Sequence, residues 1–278
     1  MSRRTKKVMI YLTAVFAGFL LLAPFGWMVL ASFQTQAELV ARPLPWVPGK
    51  FYPDRYIDIF TSAAGKDFRA AMRNSLVIAS SVVLVSLFVG TLGGYAFARL
   101  RFKFRRAILM TFLFTYMLPQ VALLVPLYMI LYNIGLLDSV MGLILVDCSL
   151  VVPFVLWTLS NYFITVPLEI EESAWIDGAS RLKALWHVVL PSARPGIFAA
   201  AMFAFLLAWD EFMYALIFSN SNASKTVPVA ISEFAGRYIT DFGKVAAGGV
   251  LAALPPVILA AIFQRYVTSG LVAGAVKA

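Results

Sequence analysis

The most conspicuous pattern along the chain is a succession of long apolar segments separated by polar stretches. A helix needs about 20 mostly apolar residues to cross the roughly 30 Å of hydrocarbon in a bilayer. Six segments have or approach this length and character: 8–33, 74–100, 107–131, 140–164, 196–219 and 246–267. The pattern therefore predicts an all-α integral membrane protein with six transmembrane helices.

The composition supports lipid as the surrounding solvent. Apolar residues make up 61% of the 278 residues and charged residues 13%, against roughly 45–50% and about 25% in soluble domains. A soluble fold of this size cannot bury so much apolar surface. Cys148 is the only cysteine and His187 the only histidine. We therefore expect no intrachain disulfide and no metal site.

The basic residues are concentrated at the ends of the apolar segments. They precede the first segment and separate the second from the third: Arg3, Arg4, Lys6, Lys7, Arg99, Arg101, Lys103, Arg105 and Arg106. Short basic loops face the cytoplasm, so we expect both termini to be cytoplasmic and the proline-rich segment 34–73 to be an irregular external loop. Topology thus explains the net charge of +9, and no nucleic-acid partner is predicted.

The cytoplasmic connection 165–195 is predicted to form two short helices. Pro167 suits the first turn of a helix, Gly178 can adopt the left-handed conformation that ends one, and Ser180 can cap the next. The second helix carries apolar residues at helical spacing: Leu182, Leu185, Trp186 and Val189. Such a stripe fits either a helix lying in the lipid headgroups or a docking element for a soluble partner.

This connection resembles the EAA loop of ABC importer permeases. The matching positions are Glu172, Ser173, Ala174, Asp177, Gly178, Ala179, Val188, Leu190 and Pro191. Ser173 stands where the family usually has alanine, another small residue. Outside the loop, Asn74-Ser75, Pro119, 209–212 and the tail 264–277 are similar to the maltose-type sugar permeases. Asp210 departs from the asparagine that is frequent there.

The resemblance implies a type I ABC importer permease, with 1–278 as a single transmembrane permease domain. Such a permease would form half of a translocation path for a sugar-like solute and lie in the bacterial inner membrane, surrounded by lipid. Its partners would be a second permease subunit, an ATPase dimer and an extracytoplasmic solute-binding protein. The loop 165–195 would be the coupling helix, with Glu172 and Arg181 orienting the contact with the ATPase.

The chain is not expected to be an enzyme. It lacks the G-x-x-x-x-G-K-[ST] loop that binds nucleotide phosphates. The resemblance accordingly implies that ATP and Mg²⁺ bind to the partner ATPase and that this chain needs no cofactor.

Ionisable residues inside apolar segments indicate candidates for the solute path, because charges at membrane depth usually face a cavity or a partner. The candidates are Trp209, Asp210, Glu211 and Phe212, and more weakly Asp147. A structural ion pair or an aromatic belt at the membrane surface are the alternatives. A secondary carrier and a membrane-embedded enzyme are rival interpretations of the whole chain. The first would transport without an ATPase, and the second would need a cluster of nucleophile, base or metal ligands at one depth.

Overall fold

The structure is a computed structural model that describes residues 3–62, 65–235 and 241–275, with side chains in the last helix as far as Gln264. Fourteen α-helices and one π-helical turn lie in the described residues. The helices of the first half are α1 (Arg3–Ser32), α2 (Gln36–Leu39), α3 (Asp54–Thr61), α4 (Lys66–Arg99), α5 (Arg105–Tyr116), α6 (Gln120–Asn133) and α7 (Val140–Thr165).

The second half begins with the connection that the sequence assigns to the cytoplasm. Its elements are α8 (Leu168–Ile176), α9 (Arg181–Ala184), the π-helical turn Leu185–Val189, α10 (Leu190–Ser192), α11 (Arg194–Trp209), α12 (Met213–Phe218), α13 (Val227–Phe234) and α14 (Phe242–Ala275).

Four of these helices are long and apolar enough to cross a membrane: α1, α4, α7 and α14. Two further candidates are bent pairs, α5 with α6 at 94° and Arg181–Ser192 with α11 at 82°. Counting each bent pair as one span gives six. The predicted all-α membrane fold is thereby confirmed.

The third and fifth predicted spans are not continuous helices, which corrects the sequence interpretation. Segment 107–131 breaks between Tyr116 and Gln120, where Pro119 has an extended backbone (φ −60°, ψ 126°). Proline disfavours helical geometry in the residue before it, so the break falls there. Segment 196–219 is interrupted after Trp209 and resumes at Met213, because the Glu211 carboxylate caps a new helix by accepting from Tyr214 N and Ala215 N.

The predicted external loop 34–73 is irregular only in part. Residues between α2 and α3, where the prolines are concentrated, form no helix, but α2 and α3 lie within the predicted loop and α4 begins at Lys66 rather than at residue 74. Thr35 caps α2 through a reciprocal pair of hydrogen bonds with Glu38. Local capping therefore stabilises α2 beside the proline-rich stretch.

The described residues divide into two compact units. One comprises the described parts of Met1–Arg69 and Ala230–Leu254, and the other those of Ala70–Val229 and Pro255–Ala278. In the first unit, buried Arg55 donates to the carbonyl oxygens of Ser32 and Gln34 and pairs with Asp241 at 3.6 Å. The interpretation of 1–278 as a single permease domain stays a prediction.

The second unit is built around α7, which packs against α4, α5 and α11. Gly90 and Gly94 allow close approach of α4 to α7, since a Cβ on Gly94 would lie 3.0 Å from Ser160 N and one on Gly90 would lie 2.7 Å from Val155 Cγ1. Leu159 and Phe163 of α7 are completely buried there. Both groups of candidate site residues belong to this unit.

Candidate functional site

The connection between α7 and α11 has the local geometry that its sequence predicts. Gly178 has φ +84°, the left-handed conformation expected after α8. Ser180 Oγ accepts from Lys183 N at 3.3 Å and caps α9. Pro167 is the residue just before α8 rather than part of its first turn. Two short helices therefore meet at a glycine, as predicted.

The prediction of a single apolar stripe on the second helix of the loop is wrong. Leu185 and Val189 are buried in the core of the second unit, whereas Leu182 and Trp186 are 57% and 49% exposed. The π-helical turn Leu185–Val189 has more residues per turn than an α-helix. As a result, Leu182 and Trp186 share one face of the helix, and Leu185 and Val189 share another. The inner pair anchors the loop, and the outer pair stays available for contact.

A buried ion pair that sequence reasoning missed holds the loop to the end of α4. Glu171 is completely buried, and its Oε1 pairs with Arg99 Nε at 2.5 Å. Tyr95 donates its hydroxyl to Glu171 Oε2 at 3.1 Å, and Arg99 Nη2 donates to the Val166 carbonyl at 2.7 Å. The sequence indicates Arg99 only as a topology determinant, and Glu171 lies in the first turn of α8, where an acidic residue also complements the helix dipole. Both residues lie in segments that the sequence assigns to the cytoplasmic face. This shared location could have suggested the ion pair.

The family-motif residues lie mainly on the outer surface of this anchored loop. Glu172, Ser173, Asp177, Gly178, Arg181 and Pro191 are exposed, and Ala174, Ala179 and Leu190 are half-buried. The Arg181 guanidinium lies over the Trp175 ring at 5.2 Å, which limits its freedom. Ile176, at the end of α8, is 87% exposed. The loop thus combines a buried anchor with an outer face of mixed apolar and charged character.

The structure separates the four predicted solute-path residues. Trp209 is buried and stacks on Phe205 with ring centroids 5.4 Å apart, so it belongs to the core. Asp210 and Phe212 are exposed, and Glu211 is buried. Glu211 lines a cavity that is also lined by Asp147, the weaker candidate. The solute-path roles stay predictions.

This cavity lies where α5 and α6 meet at their break. It has a volume of about 220 Å³ and is lined by Tyr116, Leu118, Gln120, Asp147, Leu150, Val151, Leu207 and Glu211. The break at Pro119, which the sequence pattern did not indicate, thus brings residues of α5 and α6 to the two carboxylates. We name this space the carboxylate cavity.

Comparison with known proteins identifies the family. Residues 86–272 match the family of binding-protein-dependent transport system inner membrane components. The chain belongs to this family. It is a multi-pass membrane protein and a permease subunit of an ABC importer, as the EAA-like loop implied.

The relatives cover nearly the whole permease. It is 34% identical to the trehalose/maltose transport system permease protein MalG of Thermococcus litoralis, over 98% of this chain and 97% of the relative. It is 36% identical to the sulfoquinovosyl glycerol transport system permease protein SmoH of Agrobacterium fabrum, over 92% and 89%. The predicted resemblance to sugar permeases is confirmed.

A solved structure shares the fold. One chain of a bacterial ABC transporter involved in the import of the acidic polysaccharide alginate superposes with a TM-score of 0.77 and 20% identity. The match covers 96% of this permease and 99% of that chain. The helical arrangement is therefore that of an ABC importer permease.

Proposed function

We propose that this permease forms half of the solute path of an ATP-driven sugar importer and transmits ATP hydrolysis by a partner ATPase to that path. The observation that carries the proposal is the anchored loop. Its outer face is exposed for docking, while Glu171 and Arg99 tie its inner face to α4. A force applied to such a loop reaches a spanning helix through a buried ion pair rather than through a flexible linker.

The proposal includes the partners that the resemblance to ABC importer permeases implies. The loop 165–195 docks on an ATPase subunit that binds ATP and Mg²⁺, with Arg181 and Glu172 setting the orientation of the contact through charge. A second permease completes the path, and an extracytoplasmic binding protein delivers the solute. In this proposal both termini and the loop face the cytoplasm of a bacterial cell. Trp209, Asp210, Glu211 and Phe212 remain the path candidates.

The solute class is proposed from the relatives. The names of those relatives specify trehalose or maltose and sulfoquinovosyl glycerol. All are sugars or sugar conjugates, so a carbohydrate is the solute class that we propose for this permease.

Purification from native membranes tests the assembly. We expect the permease to be recovered with a second permease, an ATPase and a binding protein, and the reconstituted complex to take up sugar only with ATP. Recovery of the chain alone, with uptake into vesicles that lack ATP, would instead identify a secondary carrier.

A glycine substitution tests the coupling role of the loop. Gly178→Asp should abolish ATP-driven uptake while leaving the permease in the membrane, because it strains a left-handed residue and adds charge to the docking face. Gly135→Asp is a matched control. Gly135 also has a positive φ (+68°) and open space around it, but it lies at the opposite end of α7. Equal loss of uptake in both variants would contradict coupling through this loop.

A further inference from the structure

A basic cavity lies where the end of α4 meets the loop. It has a volume of about 630 Å³, and its lining includes Arg99, Arg101 and Arg181. Glu171 neutralises Arg99, whereas Arg101 and Arg181 form no ion pair with any residue that the structure describes. No acidic residue of the described ranges lines this space. The space, which we name the arginine cavity, therefore has an uncompensated positive charge.

The arginine cavity also has more hydrogen-bond donors than acceptors. Trp175 belongs to its lining, and the indole Nε1, which can only donate, is buried without a partner among the described residues. The Arg181 guanidinium lies over the same ring at 5.2 Å. Because buried donors in native proteins are nearly always satisfied, this lining favours a ligand that supplies acceptor oxygens. Negatively charged oxygens suit both the donors and the charge.

The positive charge continues along the linker between α4 and α5. A second cavity of about 490 Å³ shares Arg101 and Phe102 with the first and adds Lys103 and Arg105. Arg105 Nη1 donates to the Leu100 carbonyl at 3.3 Å, which holds the linker against the end of α4. This linker joins a long apolar helix to a bent pair of apolar helices, so it lies at a surface of the bilayer. The basic residues are therefore placed at the level of the lipid headgroups.

Apolar side chains in the same lining favour a lipid over a soluble anion. Leu100, Phe102 and Leu168 line the arginine cavity, and Phe102 and Leu168 are 40% and 42% exposed. A soluble phosphate gains little from such side chains. A phospholipid covers them with its glycerol and upper acyl chain while its phosphate contacts the arginines.

We infer that the arginine cavity binds the headgroup phosphate of an anionic phospholipid, between Arg101 of the linker and Arg181 of the loop. A guanidinium can donate two parallel hydrogen bonds to one phosphate, which favours arginine at such a site. A phosphate bound there ties the loop to the bilayer surface beside the face proposed to dock on the ATPase. The inference goes beyond the proposed transport and requires no ATPase.

Photocrosslinking tests the lipid contact directly. Benzoylphenylalanine replaces Phe102 in the full-length permease, which is reconstituted in vesicles of equal parts phosphatidylglycerol and phosphatidylcholine. Mass spectrometry identifies the lipids that become attached on illumination. The same replacement at Phe114 is the matched control, because this α5 residue is 63% exposed and lines neither basic cavity.

The ratio of phosphatidylglycerol to phosphatidylcholine adducts should be about fivefold higher at position 102 than at position 114, because arginines at the membrane surface attract anionic headgroups. Arg101→Ala combined with Arg181→Ala should reduce the ratio at position 102 to the control value. Equal ratios at the two positions, or an excess that persists in this double variant, would overturn the inference.

A second double variant controls for net charge. Arg3→Ala combined with Arg4→Ala removes the same charge from the start of α1 and should leave the ratio at position 102 unchanged. All four arginines are exposed, so unfolding in detergent micelles should be nearly the same in both double variants. An equal fall of the ratio in the two variants would indicate diffuse attraction and would contradict a site.

Two further measurements distinguish the lipid from other anions. Inorganic phosphate in excess, compared with sodium chloride at the same ionic strength, should leave the ratio at position 102 unchanged. Loss of the excess with phosphate alone would identify a site for a soluble anion. In native membranes the adducts at position 102 should be phospholipids, and adducts mainly with a polypeptide would assign the cavity to a protein partner. Either result would overturn the inference.

These outcomes are separate from those that test the proposed function. A complex that imports sugar with ATP but shows no enrichment at position 102 would remove only the lipid site. Enrichment at position 102 in a chain that transports without ATP would remove the ATP-driven mechanism and leave the lipid site.

Discussion

The second unit buries carboxylates in two places, and the carboxylates differ in their ion-pair and hydrogen-bond partners. At the loop anchor, Glu171 has a cation at 2.5 Å and a tyrosine hydroxyl at 3.1 Å. At the carboxylate cavity, Asp147 is almost as deeply buried and its Oδ1 has no partner among the described residues. The comparison separates a structural carboxylate, which has a cation and a hydroxyl as partners within the fold, from one whose Oδ1 has no partner among the described residues.

This difference has a physical consequence for mutations. Removing one partner of a buried ion pair leaves an uncompensated charge and is strongly destabilising. Removing the charge of an unpaired buried carboxylate relieves a desolvation penalty. Substitutions at the anchor should therefore lower stability, and neutralisation of Asp147 should not.

The largest effect is expected from Arg99→Ala. It leaves Glu171 buried without its cation and removes the hydrogen bond to Val166, so the free energy of unfolding should fall by about 3–5 kcal/mol. Unfolding in mixed detergent micelles measures the change. Arg101→Ala is the control, because Arg101 is exposed and its loss should alter stability by less than about 0.5 kcal/mol. Equal losses in the two variants would contradict the anchor.

A smaller loss is expected from Tyr95→Phe. This substitution deletes one hydrogen bond to Glu171 and keeps the ion pair, so the free energy of unfolding should fall by about 1.5 kcal/mol. Tyr132→Phe is the control, since the Tyr132 side chain is 65% exposed. In a double variant with Arg99→Ala, the effect of Tyr95→Phe should change in size, because both residues contact the same carboxylate.

Neutralising Asp147 should not lower the free energy of unfolding, unlike the substitutions at the anchor. Asp147→Asn is expected to leave the free energy of unfolding unchanged or to raise it by up to about 1 kcal/mol. Glu211→Gln should lower it by about 1 kcal/mol, because the carboxylate caps α12. The same micelle titration compares both variants with the unsubstituted permease. A large loss of stability in Asp147→Asn would show that Asp147 has a structural partner and would remove the contrast.

The smallest effect concerns Asp138, in the turn between α6 and α7. Its Oδ1 accepts from Asn220 N at 3.0 Å, Ser221 N at 3.1 Å and Ser224 Oγ at 2.7 Å. Burial raises the pKa of Asp138, but the hydrogen bonds from Ser221, Ser224 and Asn220 outweigh it and hold the pKa below its ordinary value.

A lowered pKa in the folded state means that the unfolded chain binds the proton more readily. The contribution of Asp138 should therefore be present above its unfolded pKa of about 3.9 and be lost as the pH falls through the lower folded value. Thermal unfolding measured between about pH 6 and pH 3 should show this loss, and Asp138→Asn should remove that component. An identical pH profile in the variant would mean that the turn does not depend on this carboxylate.

Local chemistry was sufficient for much of the prediction. The length of the apolar segments predicted the spans, because lipid requires about 20 apolar residues regardless of what packs beside them. Gly178 and Ser180 predicted the end of one loop helix and the start of the next, since both effects act within a few residues. The third span shows the limit of this reasoning. Its apolar composition continues through Pro119, so hydropathy did not reveal the break that opens the carboxylate cavity.

The sequence by itself determined the membrane environment, the approximate spans, the two-helix loop and the family. Only the tertiary structure decided which carboxylates are paired. Glu171 and Glu172 are adjacent and chemically identical, yet one is completely buried against Arg99 and the other is exposed. Asp147 and Glu211 line the same cavity although they are 64 positions apart in the chain (211 − 147). Ion pairing and burial depend on distances between distant segments, and neither spacing nor composition contains those distances.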